Sequence, residues 1–380
     1  MKNKVSKIWM KFFVVCIISS LLVSACQTET PPAVTEPPVQ EEVVATDPPA
    51  EVVEEPVVEV SEPEDVGVAP LDPPVDLKLA YVPIMKFATA YVAKELGFFE
   101  KYGLNVEMIS VKSGTEAIAF LSEGKVDFGG VAIVVSLWNA WSQGMDLRIV
   151  APGAIEPFTD SPTVFLVRKD LYDSGEITKV EDLAGKTVAV AGGPGSGGEY
   201  LAAKALERGN LSIFDVDLVN IGNADMPAAF ENNSIVAGLL GSPYADQVIN
   251  AGTAVAFEKD ITPGLMTVAF IASGNMINDN PEVTQRFVLA LMEAARAMQG
   301  DDYLSEENIA AYLAYINSTP EDIRTGVPVI YDPELTIELE GLSDTERVHR
   351  ENGRLDYTEP LDMKNVVDNQ FVEWALANIK

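Results

Sequence analysis

Four short turns in this sequence carry the residue types best suited to hold a small ligand through backbone and hydroxyl groups. Each lies where a predicted strand gives way to a predicted helix, at 83–87, 113–115, 132–134 and 195–198. The first N–H groups of a helix have no intrahelical acceptor and carry a partial positive charge, so such turns bind anions without cationic side chains. Ligands also collect at the carboxyl ends of strands in open α/β sheets. The ligand-binding residues predicted in these turns are Met85, Lys86, Phe87, Ser113, Gly114, Thr115, Ile133, Gly195, Ser196 and Gly197.

Aromatic residues near these turns bear on the shape of the ligand. The aromatic residues in or next to the predicted cleft edge are Tyr81, Phe87, Trp138, Trp141 and Tyr244. Stacked rings would suit a heterocycle, whereas packing in the core is the alternative for each ring. Tyr244 is included with the predicted ligand-binding residues. Lys86 has two interpretations, a partner for an anionic ligand or a solvated side chain.

The glycine-rich turn also matches a dinucleotide-binding pattern. Gly193-x-Gly195-x-x-Gly198 has the spacing G-x-G-x-x-G after a predicted strand, and Asp215 or Asp217 could supply the acidic residue that follows. A lone match of this kind is weak, and the Lys-Ser/Thr ending of a phosphate-binding loop is missing. The N-terminus described below predicts export, and nicotinamide cofactors are scarce outside the cell. We therefore interpret this turn as a ligand-holding loop and predict no cofactor.

Residues for nucleophilic or metal-based catalysis are nearly lacking. The chain has two cysteines and one histidine, and no cysteine follows Cys26. The sequence therefore lacks nearly all the cysteine and histidine residues that structural cysteine-zinc sites, thiol nucleophiles and a Ser-His-Asp triad need. His349 stands among charged residues and is predicted to be solvated rather than catalytic. The sequence predicts neither a catalytic residue nor a metal site.

The N-terminus has the pattern of an export signal. Four lysines precede a short apolar run, and Val23-Ser24-Ala25 lead directly into Cys26. A basic start, an apolar stretch too short for a convincing membrane span and small residues before the cut are typical of a secretory signal peptide, here 1–25. The segment resembles the lipobox of bacterial lipoproteins, which implies a Cys26 acylated with a palmitate-type lipid as the mature N-terminus. A plain signal peptide or an N-terminal anchor with an incidental cysteine is the alternative.

Residues 26–75 are predicted to form a tether between the lipid and the folded part. They mix proline, glutamate, valine and threonine without period, contain no lysine or arginine and contain no aromatic residue. Prolines and like charges disfavour a helix, and no aromatic residue is present to form a core.

The formal net charge of the whole chain is -32, which argues against nucleic acid as a partner.

Strands and helices alternate from residue 76 onward, which predicts an α/β fold with largely parallel sheets. Strands are predicted at 77–82, 105–109, 126–131 and 147–151, and again at 164–168, 186–190, 217–220 and 235–240. A crossing strand follows at 268–275, and helices dominate to the end. The pattern predicts one lobe inserted in another, with lobe 1 at 76–162 and 268–380, lobe 2 at 163–267 and a ligand cleft between them.

Four segments together resemble the extracytoplasmic solute-binding proteins of ABC importers, in the nitrate/sulfonate/taurine group that also includes binders of thiamine-pyrimidine precursors. They are YVAKELGFFEKYGLNV at 91–106, GKVDFG at 124–129, DLAGKTVAV at 182–190 and GSPYA at 241–245. Each also has a structural explanation, because Gly103 suits the left-handed C-cap of a helix and Phe98 and Phe99 suit a core. The segments do not identify the ligand.

The resemblance implies a two-lobed periplasmic-binding-protein fold of type II and capture of a small molecule without catalysis. The ligand would be a sulfonate-, taurine- or nitrate-like anion, or a vitamin-type heterocycle such as a thiamine pyrimidine precursor or riboflavin. The implied partners are the transmembrane subunits of an ABC permease with a cytoplasmic ATPase, reached by a monomer that is lipid-anchored on the extracytoplasmic face of the cell membrane. Hinges are expected near 160–165 and 265–270. A thiamine-pyrimidine-synthase-like enzyme and an effector-sensing module remain alternatives.

Overall fold

The computed structural model describes residues 67–242 and 244–380. The predicted signal peptide, Cys26 with its lipid and residues 26–66 of the predicted tether lie outside the described residues. None of the helices in the described part of the chain combines the length and the apolar character needed to span a bilayer.

The strands form two five-stranded sheets. They are β1 Val75–Tyr81, β2 Leu104–Ser110, β3 Phe128–Ala132, β4 Leu147–Pro152, β5 Thr163–Arg168, β6 Thr187–Val190, β7 Asp217–Asn220, β8 Ala237–Gly241, β9 Ala254–Glu258 and β10 Val268–Ser273. The first sheet has the order β2-β1-β3-β10-β4 and the second β7-β6-β8-β5-β9. The predicted α/β architecture with two small sheets is confirmed, and β9 is a strand that the sequence pattern did not predict.

Both sheets have the same plan. Three strands run parallel, and a strand that crosses between the sheets runs antiparallel beside them: β10 next to β3 in the first sheet and β5 next to β8 in the second. Val268, at the start of β10, pairs with Ala132 at the end of β3, and Thr163 at the start of β5 pairs with Gly241 at the end of β8. The carboxyl ends of the parallel strands and the two crossings therefore lie at the same edges, where ligands collect in such folds.

Helices cover the sheets. They are α1 Ala88–Glu95, α2 Phe98–Lys101, α3 Gly114–Ser122, α4 Val135–Ser142, α5 Lys169–Asp173, α6 Gly197–Glu207, α7 Met226–Glu231, α8 Tyr244–Asn250, α9 Pro281–Ala297, α10 Glu306–Leu313, α11 Pro320–Thr325, α12 Leu339–Glu351 and α13 Gln370–Asn378. The long helix α9 fills the first core, where Phe287 stacks on Phe128 and Phe99 at ring-centroid distances of 3.9 and 5.4 Å. Phe99 is therefore a core residue, as the sequence predicts.

The structure differs from the predicted tether at its end. The backbone N–H of Leu71 donates to the carbonyl of Tyr102 at 3.1 Å, and Val75 already begins β1. Gly103 has φ +74°, and a Cβ there would lie 2.5 Å from the backbone of Leu71. Residues 67–75 thus belong to the folded part, because Val68 and Leu71 pack against the first core.

Helix α12 does not belong to lobe 1 alone, although the predicted boundaries place it there. Val348 is part of the core of the second sheet, and Arg347 pairs with Glu207 of α6 at 3.1 Å. The physical reason is complementary contact, since Val348 is buried in that core while Asp344 and Arg347 of α12 pair with Lys204 and Glu207 of α6. The segment 339–354 is thus a further connection between the lobes, beside the two strand crossings.

Candidate functional site

A cavity of about 270 Å³ lies between the two sheets, at the edges where β1, β3 and the crossings meet. Its lining is mostly apolar and comes from both lobes and from α12. The lining residues are Ile84, Lys86, Ala132, Ile133, Val134, Glu156, Thr163, Gly197, Tyr200, Leu201, Leu265, Met266, Thr267, Val268 and Thr345. A concave, apolar pocket with a few convergent polar groups at a topological switch point is the usual form of a small-molecule site.

Three polar side chains form a closed cluster on the first-lobe wall of this cavity. Lys86 donates to the carboxylate of Glu156 and, at 2.8 Å, to Oγ1 of Thr267. The Thr267 hydroxyl in turn donates to Oε1 of Glu156 at 3.3 Å. Glu156 is buried with a 6% exposed side chain, so its charge must be compensated, and Lys86 compensates it. The cluster therefore presents a paired donor and acceptor rather than a free cation.

The N-terminus of α6 forms part of the opposite wall. Ser196 caps the helix, because its Oγ accepts from the backbone N–H of Glu199 at 3.1 Å and donates to the carbonyl of Ala191 at 3.1 Å. The next residue, Gly197, lines the cavity, and a Cβ built on it would meet no atom within 4 Å. The hydroxyl of Ser196 is thus occupied by the cap, whereas the space beside Gly197 is open to a ligand.

The first turn of α6 is held by a buried ion pair. The carboxylate of Glu199 is fully buried and accepts from Nε and Nη2 of Arg354 at 2.9 and 2.8 Å. It also accepts from the backbone N–H of Gly195 at 3.3 Å. One side chain therefore ties the glycine-rich turn, α6 and the segment after α12 together, and this fixes the wall of the cavity.

Helix α12 closes the cavity from a third side. Thr345 lines it, and on the preceding residue Oδ2 of Asp344 accepts from the hydroxyl of Tyr200 at 2.9 Å. Lys204 and Arg347 pair with the same carboxylate at 3.1 and 2.7 Å and keep the pKa of Asp344 below its usual value, despite partial burial. Charge-assisted hydrogen bonds thus hold α12, which closes this side of the cavity, against α6.

His349 is buried, and the prediction of a solvated residue is wrong. The side chain is fully buried on α12, and its ring centroid lies 6.0 Å from that of Tyr200. Within the described residues neither ring nitrogen has a hydrogen-bond partner. Burial lowers the pKa of His349 to about 4, against an opposing contribution from Glu199, so the ring is neutral at pH 7. Of its charged neighbours in sequence, Glu346 is buried as well, and Arg347 and Arg350 are half-buried.

Some of the predicted ligand-binding residues do lie at this cavity. Lys86, Ile133 and Gly197 line it. Gly195 stands immediately beside it, because its carbonyl accepts from the backbone N–H of Val135 at 3.5 Å across the cleft. A Cβ on Gly195 would lie 2.7 Å from the side chain of Val135, so the close approach of the two lobes here requires glycine.

Other predicted residues lie away from the cavity lining. Phe87 is fully buried in the core, edge-on to Phe270 at 5.7 Å, because its ring fills the space that Gly130 leaves. Ser113 caps α3 through Glu116 N–H, and Thr115 faces Ser136 at 3.2 Å. The predicted residues outside the lining are Met85, Phe87, Ser113, Gly114, Thr115, Gly195, Ser196 and Tyr244.

The aromatic side chains near the cleft are mainly core residues. Trp138 and Trp141 are buried with their rings in edge contact at 5.1 Å, and Tyr81 packs on Tyr91 at 5.4 Å. Tyr200 is the aromatic residue of the lining that sequence reasoning missed. Glu156, Thr267 and Thr345 were missed as well, since nothing in their local sequence distinguishes them from surface or strand residues. Among the described residues no group of histidine, cysteine, aspartate and glutamate side chains could hold a metal ion.

The two sheets with a cavity between them define the class of fold, that of the two-lobed periplasmic binding proteins. The structure is similar to that of the periplasmic aliphatic sulphonate binding protein SsuA from Escherichia coli, with a TM-score of 0.62, 19% identity and coverage of 78% of this chain and 92% of that one. The chain belongs to the NMT1-like family, whose model matches residues 71–316. The predicted family resemblance is thereby confirmed.

Curated relatives are about a quarter identical to this chain over the parts that align. A protein of Brucella abortus named as a binding protein is 25% identical over 207 residues, which is 53% of this chain and 60% of that protein's length. The riboflavin-binding protein RibY of Chloroflexus aurantiacus is 24% identical over 319 residues, covering 78% of this chain and 86% of RibY. The chain thus spans about three fifths of the Brucella protein's length and most of RibY.

Proposed function

We propose that this protein is the extracytoplasmic solute-binding component of an ABC importer, which captures one small molecule between its lobes and delivers it to the permease. The observation that carries the proposal is the cavity: apolar walls from two separate sheets and α12 surround one polar cluster. Such a site gains affinity from burial and orientation from a few hydrogen bonds. Its relatives, named for binding riboflavin and aliphatic sulphonate, support the proposal.

Binding without turnover suits the chemistry of the cavity. Its ionisable lining groups are Lys86 and Glu156, which neutralise one another, and Tyr200, whose hydroxyl is engaged by Asp344. Burial and the charge of Asp344 raise the pKa of Tyr200 far above its usual value, so this phenol is no base at neutral pH. The lining residues of the cavity include no histidine or cysteine, the side chains that most readily exchange protons near neutral pH.

Release to the permease requires the lobes to separate. The chain passes between the sheets at 153–162 and 259–267. Gly264 has φ +73° and lies against the exposed ring of Phe158 on the other crossing. Hinge closure about short segments of this kind is a common way to sequester a ligand. A lipid on Cys26 and the acidic tether would keep the monomer beside its permease and ATPase at the extracytoplasmic face.

A cavity-filling substitution tests the proposal. Gly197→Leu introduces a side chain where the structure leaves open space, so it should fold normally and occupy the cavity. Gly67→Leu is the matched control, because Gly67 is exposed, also has no neighbour within 4 Å of its Cβ and is far from the cavity lining in sequence. Calorimetric titration with riboflavin, thiamine pyrimidines, taurine, alkanesulfonates and nitrate should give a saturable one-to-one heat with the wild type and the control.

The expected result for Gly197→Leu is a loss of affinity of at least a hundredfold with unchanged melting temperature. Equal affinity in Gly197→Leu and Gly67→Leu would place the ligand elsewhere and contradict the proposal. Chromatography of the titrated compound decides between binding and catalysis, because conversion of the compound would favour the synthase-like alternative.

A further inference from the structure

The inward face of α12 carries polar residues where an apolar stripe would be expected. Thr345, His349 and Asn352 follow one another at spacings of four and three residues, so they lie on the same face of the helix. They are 4%, 0% and 7% exposed. Thr345 lines the cavity, and His349 is one turn further along the same face.

Two of these side chains have polar atoms without partners. Nδ1 and Nε2 of His349 and Nδ2 of Asn352 are buried and make no hydrogen bond among the described residues. The carboxylate of Glu199, whose charge acts on His349, is already engaged by Arg354. Buried polar groups in folded proteins are nearly always hydrogen-bonded, so orphaned groups beside a binding cavity indicate a partner that comes from outside the chain.

Tyr200 connects these orphaned groups with the cavity. Its ring lines the cavity and also lies against the ring of His349 at 6.0 Å, tilted by 44°. His349 does not itself line the cavity, and its imidazole would reach the cavity wall only if the Tyr200 ring or α12 moved. Tyr200 is attached to α12 through Asp344, so helix and ring would move together.

The charges around the cavity restrict the chemistry of the partner. Lys86 is paired with Glu156 at one end. At the other end Glu199 is paired with Arg354, and the 2% exposed side chain of Glu346 is paired with Arg350 at 3.2 Å. His349 is neutral, so it offers one N–H donor and one acceptor, and Asn352 adds two donors. Each end of the site therefore offers neighbouring donors and acceptors and no uncompensated cation.

We infer that His349 and Asn352 form a second recognition element of the ligand site and that the ligand is an uncharged molecule. Its apolar body would lie against the aliphatic walls, and its two polar ends would each carry an adjacent donor and acceptor, as in an amide, an imide or an aminopyrimidine. One end meets Lys86 and Glu156, and the other meets His349 and Asn352. An anion such as nitrate or a sulfonate has no hydrogen-bond donor for the unpartnered imidazole acceptor, and Lys86, which is paired with Glu156, offers it no free cation. This inference rests on the proposed function.

A titration series on the full chain tests the ligand class. Riboflavin and 4-amino-5-hydroxymethyl-2-methylpyrimidine serve as uncharged probes, and nitrate, methanesulfonate and taurine as charged ones, each at low and high salt. The expected result is one-to-one binding of an uncharged probe, with an affinity that changes less than twofold with salt. Binding of a charged probe alone, weakened by salt, would overturn the inference and leave the proposed function standing. Binding of no probe, together with no compound released from the purified protein, would contradict both.

Substitutions test the second recognition element. His349→Leu removes two orphaned nitrogens at similar size, so the ligand-free protein should melt at the same or a higher temperature while the affinity for the uncharged probe falls at least tenfold. Thr89→Val is the matched control, since the hydroxyl of Thr89 is buried and unpartnered too but does not line the cavity. It should leave the affinity unchanged.

Asn352→Leu repeats the test independently at the neighbouring position and covers the case in which His349→Leu does not fold. It should weaken the uncharged probe by a similar factor. Wild-type affinity in both leucine variants would assign these side chains a purely structural role and overturn the inference.

Discussion

Acidification from pH 7 to pH 5 should destabilise this protein through His349. Burial lowers the pKa of the His349 ring from 6.5 to about 4, and the charge of Arg354 acts in the same direction while Glu199 opposes it. Between these two values the unfolded chain binds a proton that the folded protein excludes. The free energy of unfolding must therefore rise with pH in this window and fall as the pH is lowered through it.

The size of this effect follows from the two pKa values. A difference of about 2.5 pH units at 1.36 kcal/mol each gives about 3 kcal/mol as the full contribution, reached only below pH 4. By pH 5 the linkage relation gives a loss of about 2 kcal/mol relative to pH 7. That is a sizeable fraction of the total stability of a typical domain, about 5–15 kcal/mol.

Urea unfolding followed by tryptophan fluorescence at pH 7, 6 and 5 measures this loss. His349→Leu has no titrating group, so the difference in unfolding free energy between the variant and the wild type should grow by about 2 kcal/mol from pH 7 to pH 5. Thr89→Val should follow the wild type. If the unfolding free energies of wild type and His349→Leu changed equally with pH, the conclusion that a neutral His349 ring is buried would be refuted.

Further variants test the packing around the cavity. Arg354→Met leaves the buried carboxylate of Glu199 without its partner and should lower the unfolding free energy by about 3–5 kcal/mol in urea titrations; an unchanged midpoint would mean that the pair is not buried. Gly103→Ala should cost clearly more than Gly124→Ala, because both have positive φ but a Cβ on Gly103 alone meets the backbone of Leu71. Backbone strain alone should lower the unfolding free energy by about 1 kcal/mol in Gly124→Ala. Equal losses of unfolding free energy in the two variants would show that the backbone near Leu71 does not pack against Gly103.

The alternation of strands and helices could be predicted because its signals are local. Leu77 and Leu79 alternate with exposed residues along β1, and Pro83 follows the end of the strand. Gly103 was predicted as the left-handed C-cap of a helix, and its φ is +74°. Periodicity and glycine conformation depend on neighbours in sequence, so a single chain is sufficient to see them.

The cavity could be predicted only in part, because its polar cluster is assembled across long sequence separations. Lys86 meets Glu156 and Thr267 at separations of 70 and 181 residues, and no local pattern joins the three. Helix N-termini marked the right region, yet the hydroxyls of Ser113 and Ser196 are used to cap their own helices. A residue type suited to bind a ligand is equally suited to satisfy the backbone beside it.

His349 shows a different source of error. The charged residues around it in sequence, among them Arg350, led to the prediction of a solvated side chain, although its other direct neighbour, Val348, is apolar. Spacing along the helix gives the correct answer, because Leu342, Thr345 and His349 recur at three and four residues and are all buried. The helical period, rather than the local charge, predicts which side chains of this segment are buried.

Calorimetric titration of wild type, Gly67→Leu and Gly197→Leu with the charged and uncharged probes tests most directly whether this protein captures a small molecule between its two sheets. The predicted result is one saturable one-to-one heat for an uncharged probe with wild type and Gly67→Leu, its loss in Gly197→Leu and recovery of the probe unaltered. Undiminished binding in Gly197→Leu, or chemical conversion of the probe, would contradict it.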